Sequence, residues 1–170
     1  MVPTAREKKA NRPRYWVAYL LKDLPVGATF KPHLLHLTII PWFVTELAEK
    51  EVVDSFYESF STEKPFEITI SEVDEFKHKR KILVNLIHSS PEARHLHQET
   101  LKWFDGLGAR WAVQNPHVGP EYIPHIRRRQ GYNLLEGQKI RIASLSLITA
   151  TRRGDELRTV AAKVNFDEKA

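Results

Sequence analysis

The chain has 170 residues, of which 42% are hydrophobic, 28% charged and 10% aromatic, proportions of an ordinary globular domain rather than a disordered chain. No apolar run approaches the roughly 20 residues that a membrane-spanning helix needs. There is no cysteine, which removes disulfides, thiolate metal sites and cysteine nucleophiles together.

The net charge of +5 is concentrated in one segment. Residues 1–14 carry five basic side chains against Glu7 alone, a net of +4, and the rest of the chain carries +1. Such an arm either attracts nucleic acid by releasing phosphate counterions or is a solvated, flexible terminus. MVPTAREKKANRPR contains no apolar stretch, so no signal peptide is expected and a cytoplasmic location is the expectation.

In chain order, Tyr15–Leu21 is a short apolar strand, followed by a loop with Pro25, Gly27 and Pro32. Leu35–Phe43 is a second strand: Leu35, Leu37 and Ile39 fall on one face, His36 and Thr38 on the other. Thr45 is placed to cap a helix running to about Phe60, with Ala48, Val52, Phe56 and Phe60 on its apolar side. Phe66–Val73 alternates as a half-buried strand, and Ile82–His88 reads as a nearly continuous buried one. The basic stretch Lys77–Lys81 between them reads as a solvated turn. Ser90, Pro91 and Glu92 open a second helix with Leu96, Trp103, Phe104 and Leu107 on its apolar stripe, ended by Gly106 or Gly108. Residues 109–121 read as loop and Tyr122–Arg127 as a short extended segment. The end reads as a hairpin: Ile140–Ala150, a turn at 152–155, and Leu157–Phe166 returning with Val160, Ala162, Val164 and Phe166 on one face. The expected class is α+β with antiparallel-rich sheets. Two halves that each pair strands with one helix suggest an internal pseudo-duplication.

Of eight histidines, two stand out. His36 and Thr38 share a strand face about 6.5 Å apart, so an imidazole and a hydroxyl reach one phosphate-sized group. The imidazole titrates near working pH and suits proton transfer. In Tyr122–Arg127, His125 and Arg127 share a face, and a guanidinium grips phosphate with two hydrogen bonds. A lone histidine in a strand is more often a half-buried structural residue; the pair gives the pattern its weight. Arg127, Arg128 and Arg129 either follow a nucleic-acid backbone or form a solvated loop. Tyr15, Trp16, Trp42 and Phe43 are candidates to stack a base, with core packing the stronger reading for Trp16 and Phe43. Tyr132, after the second motif, is a further stacking candidate. His33 with His36, and His95 with His97, lack a third ligand, so no metal and no cofactor is expected. There is no glycine-rich phosphate loop.

With PHLLHLTIIPWF (residues 32–43) and EYIPHIRRR (residues 121–129) in this order, the sequence resembles the 2H phosphoesterase superfamily over about residues 15–166. That group includes 2′–5′ RNA ligase-like proteins and cyclic phosphodiesterases. The resemblance implies a single bilobal domain over 15–170, with two His-x-Thr/Ser motifs facing each other across a central cleft. It implies a metal-independent enzyme opening a 2′,3′-cyclic phosphate on an RNA 3′ end or a small cyclic nucleotide, or the reverse joining reaction. His36 and His125 would be the acid–base pair, with Thr38, Arg127, Arg129 and Tyr132 binding substrate. The second motif departs from the pattern, since Arg127 stands where Thr or Ser is expected. Arg127 either grips the phosphate in place of the hydroxyl or leaves the site disabled, which makes a non-catalytic RNA- or nucleotide-binding protein the alternative. His117, in NPHVG, offers a shifted second match. No membrane partner is expected, and a monomer is.

Overall fold

Residues 12–77, 81–114, 117–150 and 157–167 are described by the computed structural model. Strand alternation builds it. In β1 (Arg14–Leu20), Tyr15 and Val17 point to one face and Trp16, Ala18 and Leu20 to the other, and all five are buried. A strand covered on both sides belongs at the centre of a sheet, and β1 lies between β3 (His36–Val44) and β9 (Ser144–Ala150). Beyond β9 come β10 (Arg158–Asn165) and the edge strand β2 (Thr29–Phe30). On the other side, β3 is followed by β7 (His125–Arg127), β5 (Lys81–Ile87), β4 (Phe66–Lys77) and β8 (Lys139–Ile142), while β6 (Arg110–Trp111) pairs with the end of β3. Every pairing among the described residues is antiparallel. The expected α+β architecture is therefore present.

The two halves of the sheet meet at β3 and β7 through one residue pair, Leu37 opposite Ile126. Both are fully buried in the main core. This core is closed by α1 (Glu49–Phe60) and α2 (Pro91–Gly106), which contribute Val52, Phe56 and Phe60, and Leu96, Trp103 and Phe104. On the opposite face of the sheet a smaller cluster joins Trp16, Ala18, Leu20, Ile148 and Val160, with Leu24, Phe30, Leu34 and Trp42 packed against it. Helices on one face leave the other face of the β3–β7 junction for the site. None of the helices among the described residues is long and apolar enough to cross a membrane.

Several expectations change. Arg12 ion-pairs with Glu46 and Arg14 opens β1, so the basic arm enters the fold before residue 15. Thr45 does not cap α1: its hydroxyl donates to the Leu107 carbonyl at 2.9 Å, tying the end of β3 to the end of α2. The helix begins at Glu49 instead, where the Glu51 carboxylate accepts from the Ala48 N–H at 2.9 Å, and Ala48 is exposed. Ser90, by contrast, accepts from the Ala93 N–H at 3.1 Å and caps α2. β4 runs on to Lys77, past the expected end at Val73. β5 is not continuously buried: Leu83, paired with Glu75 of β4, is half exposed. The expected loop 109–121 contains β6 and a single 3-10 turn, and only residues 125–127 of the expected 122–127 segment are strand.

Ile140–Ala150 is two strands that part at Ala143: β8 pairs with β4, and β9 pairs with β1 and β10. A register shift between Val160 and Ala162 sends Val160 to the smaller cluster, while Ala162, Val164 and Phe166 face the main core. The expected turn at 152–155 and the middle of Lys77–Lys81 lie outside the described residues.

Phe56 packs on Phe60 and Trp103 with ring centroids 5.1 and 5.5 Å apart and has no exposed surface. Phe56→Ala is expected to destabilise the protein by about 3–5 kcal/mol, measured by urea unfolding.

Candidate active site

The pairing of Leu37 with Ile126 fixes what lies across the sheet from the core. Their side chains point into the core, so the residues flanking them, His36 and Thr38 on β3 and His125 and Arg127 on β7, project from the opposite face. Antiparallel register sets His36 beside Arg127 and Thr38 beside His125, which puts the two histidines on a diagonal about the Leu37–Ile126 pair. A cleft of about 230 Å³ opens here, lined by His36, Thr38, Trp16, Trp42, His117 and His125 among others.

Both imidazoles are held the same way. His36 Nδ1 lies 2.8 Å from the Leu34 carbonyl, and His125 Nδ1 lies 2.8 Å from the Ile123 carbonyl. A carbonyl only accepts, so each Nδ1 carries the hydrogen and each Nε2 keeps its lone pair for proton transfer. An aromatic edge fixes each ring as well: Trp16 against His36 at 4.4 Å and Phe76 against His125 at 4.7 Å, both steeply inclined to the imidazole they touch.

Burial dominates their titration. Loss of water around His36 pushes its pKa down to about 4; the bond to Leu34 opposes this, and the positive charges of Arg129, His125 and Arg127 add to it. His125 is also lowered, first by burial and then by His117, with the bond to Ile123 opposing. Both are neutral at pH 7 in the unliganded protein.

The other expected residues divide. Thr38 lines the cleft. Arg127 is exposed on β7, outside the lining. Arg129 is partly buried and its Nη2 donates to the Pro32 carbonyl at 2.9 Å, joining the exit of β7 to the approach to β3. Tyr132 is about half exposed on the turn closed by the Arg129–Tyr132 bridge and does not line the cleft. Tyr15 and Phe43 are core residues. Trp16 is buried as well, yet it and Trp42 form one wall of the cleft.

Sequence reasoning missed the parts played by Phe76 and His97, and offered His117 only as a shifted second match. Phe76 comes from the far end of β4 to touch both His117 and His125, the former at 4.6 Å. His117 lines the cleft beside His125, at 6.2 Å, rather than replacing it in the second motif. His97 is fully buried: its Nδ1 donates to the Ile39 carbonyl at 2.7 Å, its Nε2 accepts from the Gly119 N–H at 2.8 Å, and its ring stacks on Tyr122 at 3.8 Å. Tyr122 in turn donates to the Thr38 carbonyl at 3.0 Å. These bonds brace β3 and the approach to β7 against α2. The only signal in the sequence was the apolar stripe of α2, on which a histidine one position after Leu96 carries no special mark. A larger hollow, about 530 Å³, lies between the end of α1 and the start of α2 and holds His95 but neither motif.

The model of the 2′-5′ RNA ligase superfamily matches residues 8–128. The chain belongs to this superfamily. Membership puts it among phosphoesterases and RNA ligases, the 2H group that the two motifs resemble. Among solved structures, TT0787 of Thermus thermophilus is 16% identical with a TM-score of 0.59, covering 90% of this chain and 97% of that one. A phosphoesterase is 14% identical with a TM-score of 0.61, covering 91% and 98%. E. coli LigT complexed with 3′-AMP is 14% identical with a TM-score of 0.58, again covering 91% and 98%. Its NADP+ complex gives a TM-score of 0.60 at 14% identity, covering 92% and 98%. These likenesses concern the fold. No curated protein matches the chain.

His36 gives the site a measurable pH signature. Its pKa is near 6.5 in an unfolded chain and about 4 when folded, so the unfolded state takes up the proton first. The stability linked to His36 is therefore complete above pH 6.5 and is lost as pH falls through about 4. His36→Gln is expected to gain thermal stability relative to wild type as pH is lowered from 6.5 to 4, read as a shrinking or inverting difference in Tm.

Proposed function

We propose that the protein is a metal-independent 2H phosphoesterase that opens 2′,3′-cyclic phosphates on RNA ends or nucleotides. The observation that carries the reading is the matched pair: two histidines, diagonal about the Leu37–Ile126 pair, each with Nδ1 tied to a carbonyl two residues earlier. Family membership and the nucleotide complexes of LigT support it.

Ring opening needs a base on one side of phosphorus and an acid on the other. One histidine takes a proton from water through Nε2, and the oxygen forms a new bond to phosphorus. The bond from phosphorus to the ribose O3′ breaks, and the other histidine gives that oxygen its proton. The products are a 2′-phosphate and a 3′-hydroxyl. With an RNA 5′-hydroxyl in place of water as the nucleophile, the same step joins two strands through a 2′–5′ linkage, and its reversal cuts that linkage. Charge developing on the non-bridging oxygens is met by the Thr38 hydroxyl and by Arg127, with Arg129 adding positive potential near His36. Arg127 stands on the strand where the family pattern has a hydroxyl, exposed but close enough for its charge to lower the pKa of His36.

The test is product formation from a short RNA ending in a 2′,3′-cyclic phosphate, with EDTA present. Wild type yields the 2′-phosphate, and His36→Ala and His125→Ala each lower kcat by roughly 100-fold or more. RNA that binds without any product favours the non-catalytic binding protein instead. The lowered pKa values of both histidines set the pH profile. In kcat/KM the acid must be protonated in the free enzyme, so the rate falls about tenfold per pH unit above its pKa. The optimum is expected on the acidic side of pH 6.5, with the acidic limb reaching toward pH 4.

A further inference from the structure

The ladder of β3 has a gap on the side away from β1. On that side Leu37 pairs with Ile126 of β7, and Phe43 and Val44 pair with Trp111 and Arg110 of β6. Among the described residues no strand pairs with residues 38–42 there. Thr38, a residue of the first motif, begins the gap. Backbone groups without a strand partner need other partners when buried. Three carbonyls of this stretch have them. Tyr122 donates its hydroxyl to the Thr38 carbonyl at 3.0 Å, His97 donates Nδ1–H to the Ile39 carbonyl at 2.7 Å, and the Ala112 N–H donates to the Trp42 carbonyl at 2.9 Å.

His97 also reaches beyond β3. Its Nε2 accepts from the Gly119 N–H at 2.8 Å, and its ring stacks on Tyr122 with centroids 3.8 Å and planes 4° apart. Gly119 opens the 3-10 turn Gly119–Glu121, and its carbonyl accepts from the Tyr122 N–H at 3.0 Å. Ile123 comes next, and its carbonyl holds Nδ1 of His125. One buried ring therefore ties the strand of His36 and Thr38 to the segment that orients His125. A neutral imidazole has one donor and one acceptor, so only the Nδ1–H tautomer serves a carbonyl and an N–H at once. Burial favours this uncharged form, the charge of Arg94 acts in the same sense, and the bond to Ile39 opposes. An aliphatic side chain fills such a core position without burying polar atoms. Packing alone does not call for a histidine here.

We infer that His97 is a positioning residue of the active site: with Tyr122 beside it, it stands in for the missing strand partner of β3 and holds the His125 segment in place against His36 and Thr38. It does not line the cleft and acts through the Ile39 carbonyl, the Gly119 turn and Tyr122. The inference rests on the proposed function for its effect on rate, while the orientation of the His125 ring is measurable without turnover.

The test compares wild type with His97→Phe, His97→Gln and Tyr122→Phe. Phenylalanine keeps a flat ring against Tyr122 and loses both hydrogen bonds. Glutamine restores a donor and an acceptor on one side chain, and Tyr122→Phe removes only the bond to Thr38. On an RNA 2′,3′-cyclic phosphate at pH 7, kcat is expected to fall by about tenfold or more in His97→Phe, the effect of two neutral hydrogen bonds. KM is expected to stay nearly unchanged, and kcat to recover in part in His97→Gln. Tyr122→Phe is expected to lower kcat by roughly twofold to tenfold, the range of one such bond.

The second readout is the ring-nitrogen NMR spectrum of His125 in the unliganded protein. Wild type is expected to show the single Nδ1–H tautomer and folded His97→Phe a mixture of both. That mixture upholds the positioning role even if wild type opens no cyclic phosphate, in which case the catalytic reading alone falls. With turnover intact, the inference is overturned by an unmixed His125 tautomer in folded His97→Phe, whatever its rate, or by a mixed tautomer with unchanged kcat. If circular dichroism melts show His97→Phe to be unfolded, the same two readouts on His97→Gln and Tyr122→Phe decide, and wild-type values in both overturn it.

Discussion

The structure depends on one short pairing. Among the described residues, Leu37 and Ile126 are the one pair between β3 and β7, and that junction joins the two halves of the sheet. Because a strand sends alternate side chains to opposite faces, burying this pair in the core commits their neighbours to the cleft. A slip of one residue on either strand would drive a histidine into the core and an aliphatic side chain into the site. The apolar demand of the core, not any attraction between the polar groups, therefore sets the geometry of the two histidines.

So short a junction needs support from elsewhere. The buried His97 supplies part of it, using both ring nitrogens on backbone groups of β3 and of the segment before β7, while Tyr122 closes the same bracket onto Thr38. A histidine so satisfied is neutral, in keeping with the lowering of its pKa by burial. Arg129 performs a similar service from the other end through the Pro32 carbonyl. His36 and His125 differ from His97 in one respect that matters for chemistry. Each has one nitrogen tied to a carbonyl and the other turned to a cleft lined by aromatic rings.

The same desolvation that depresses the histidines raises the value of the charges around them. Arg127 and Arg129 lie close enough to lower the pKa of His36 further, a penalty that the phosphate of the proposed substrate would offset by neutralising them. On the proposed function, binding of the anion and protonation of the acid are thereby coupled through the smaller, charge-based part of the lowering. Arg14 and Arg158 lie over Trp42, outside the cleft lining.

Much of this was legible in the sequence. Alternation located β1 and β3 and the cleft-facing positions of His36 and Thr38, the Ser90–Pro91–Glu92 start located α2, and the two motifs pointed to the superfamily. Alternation failed where the register shifts, as at Val160, because a bulge changes facing without a mark that composition carries. It also failed for Thr45, whose hydroxyl accepts from the Leu47 N–H in its own turn but donates to the end of another helix 62 residues away and does not cap α1. Local chemistry determined which residues are candidates for proton transfer and phosphate contact. Only the tertiary structure decided that Phe76, His117, Trp16 and Trp42 surround them, that Tyr132 lies outside the cleft lining, and that Arg14 and Arg158 meet over one ring. Those neighbours come from strands distant in the chain, and long-range register is fixed by the packing of the whole core rather than by any stretch of sequence.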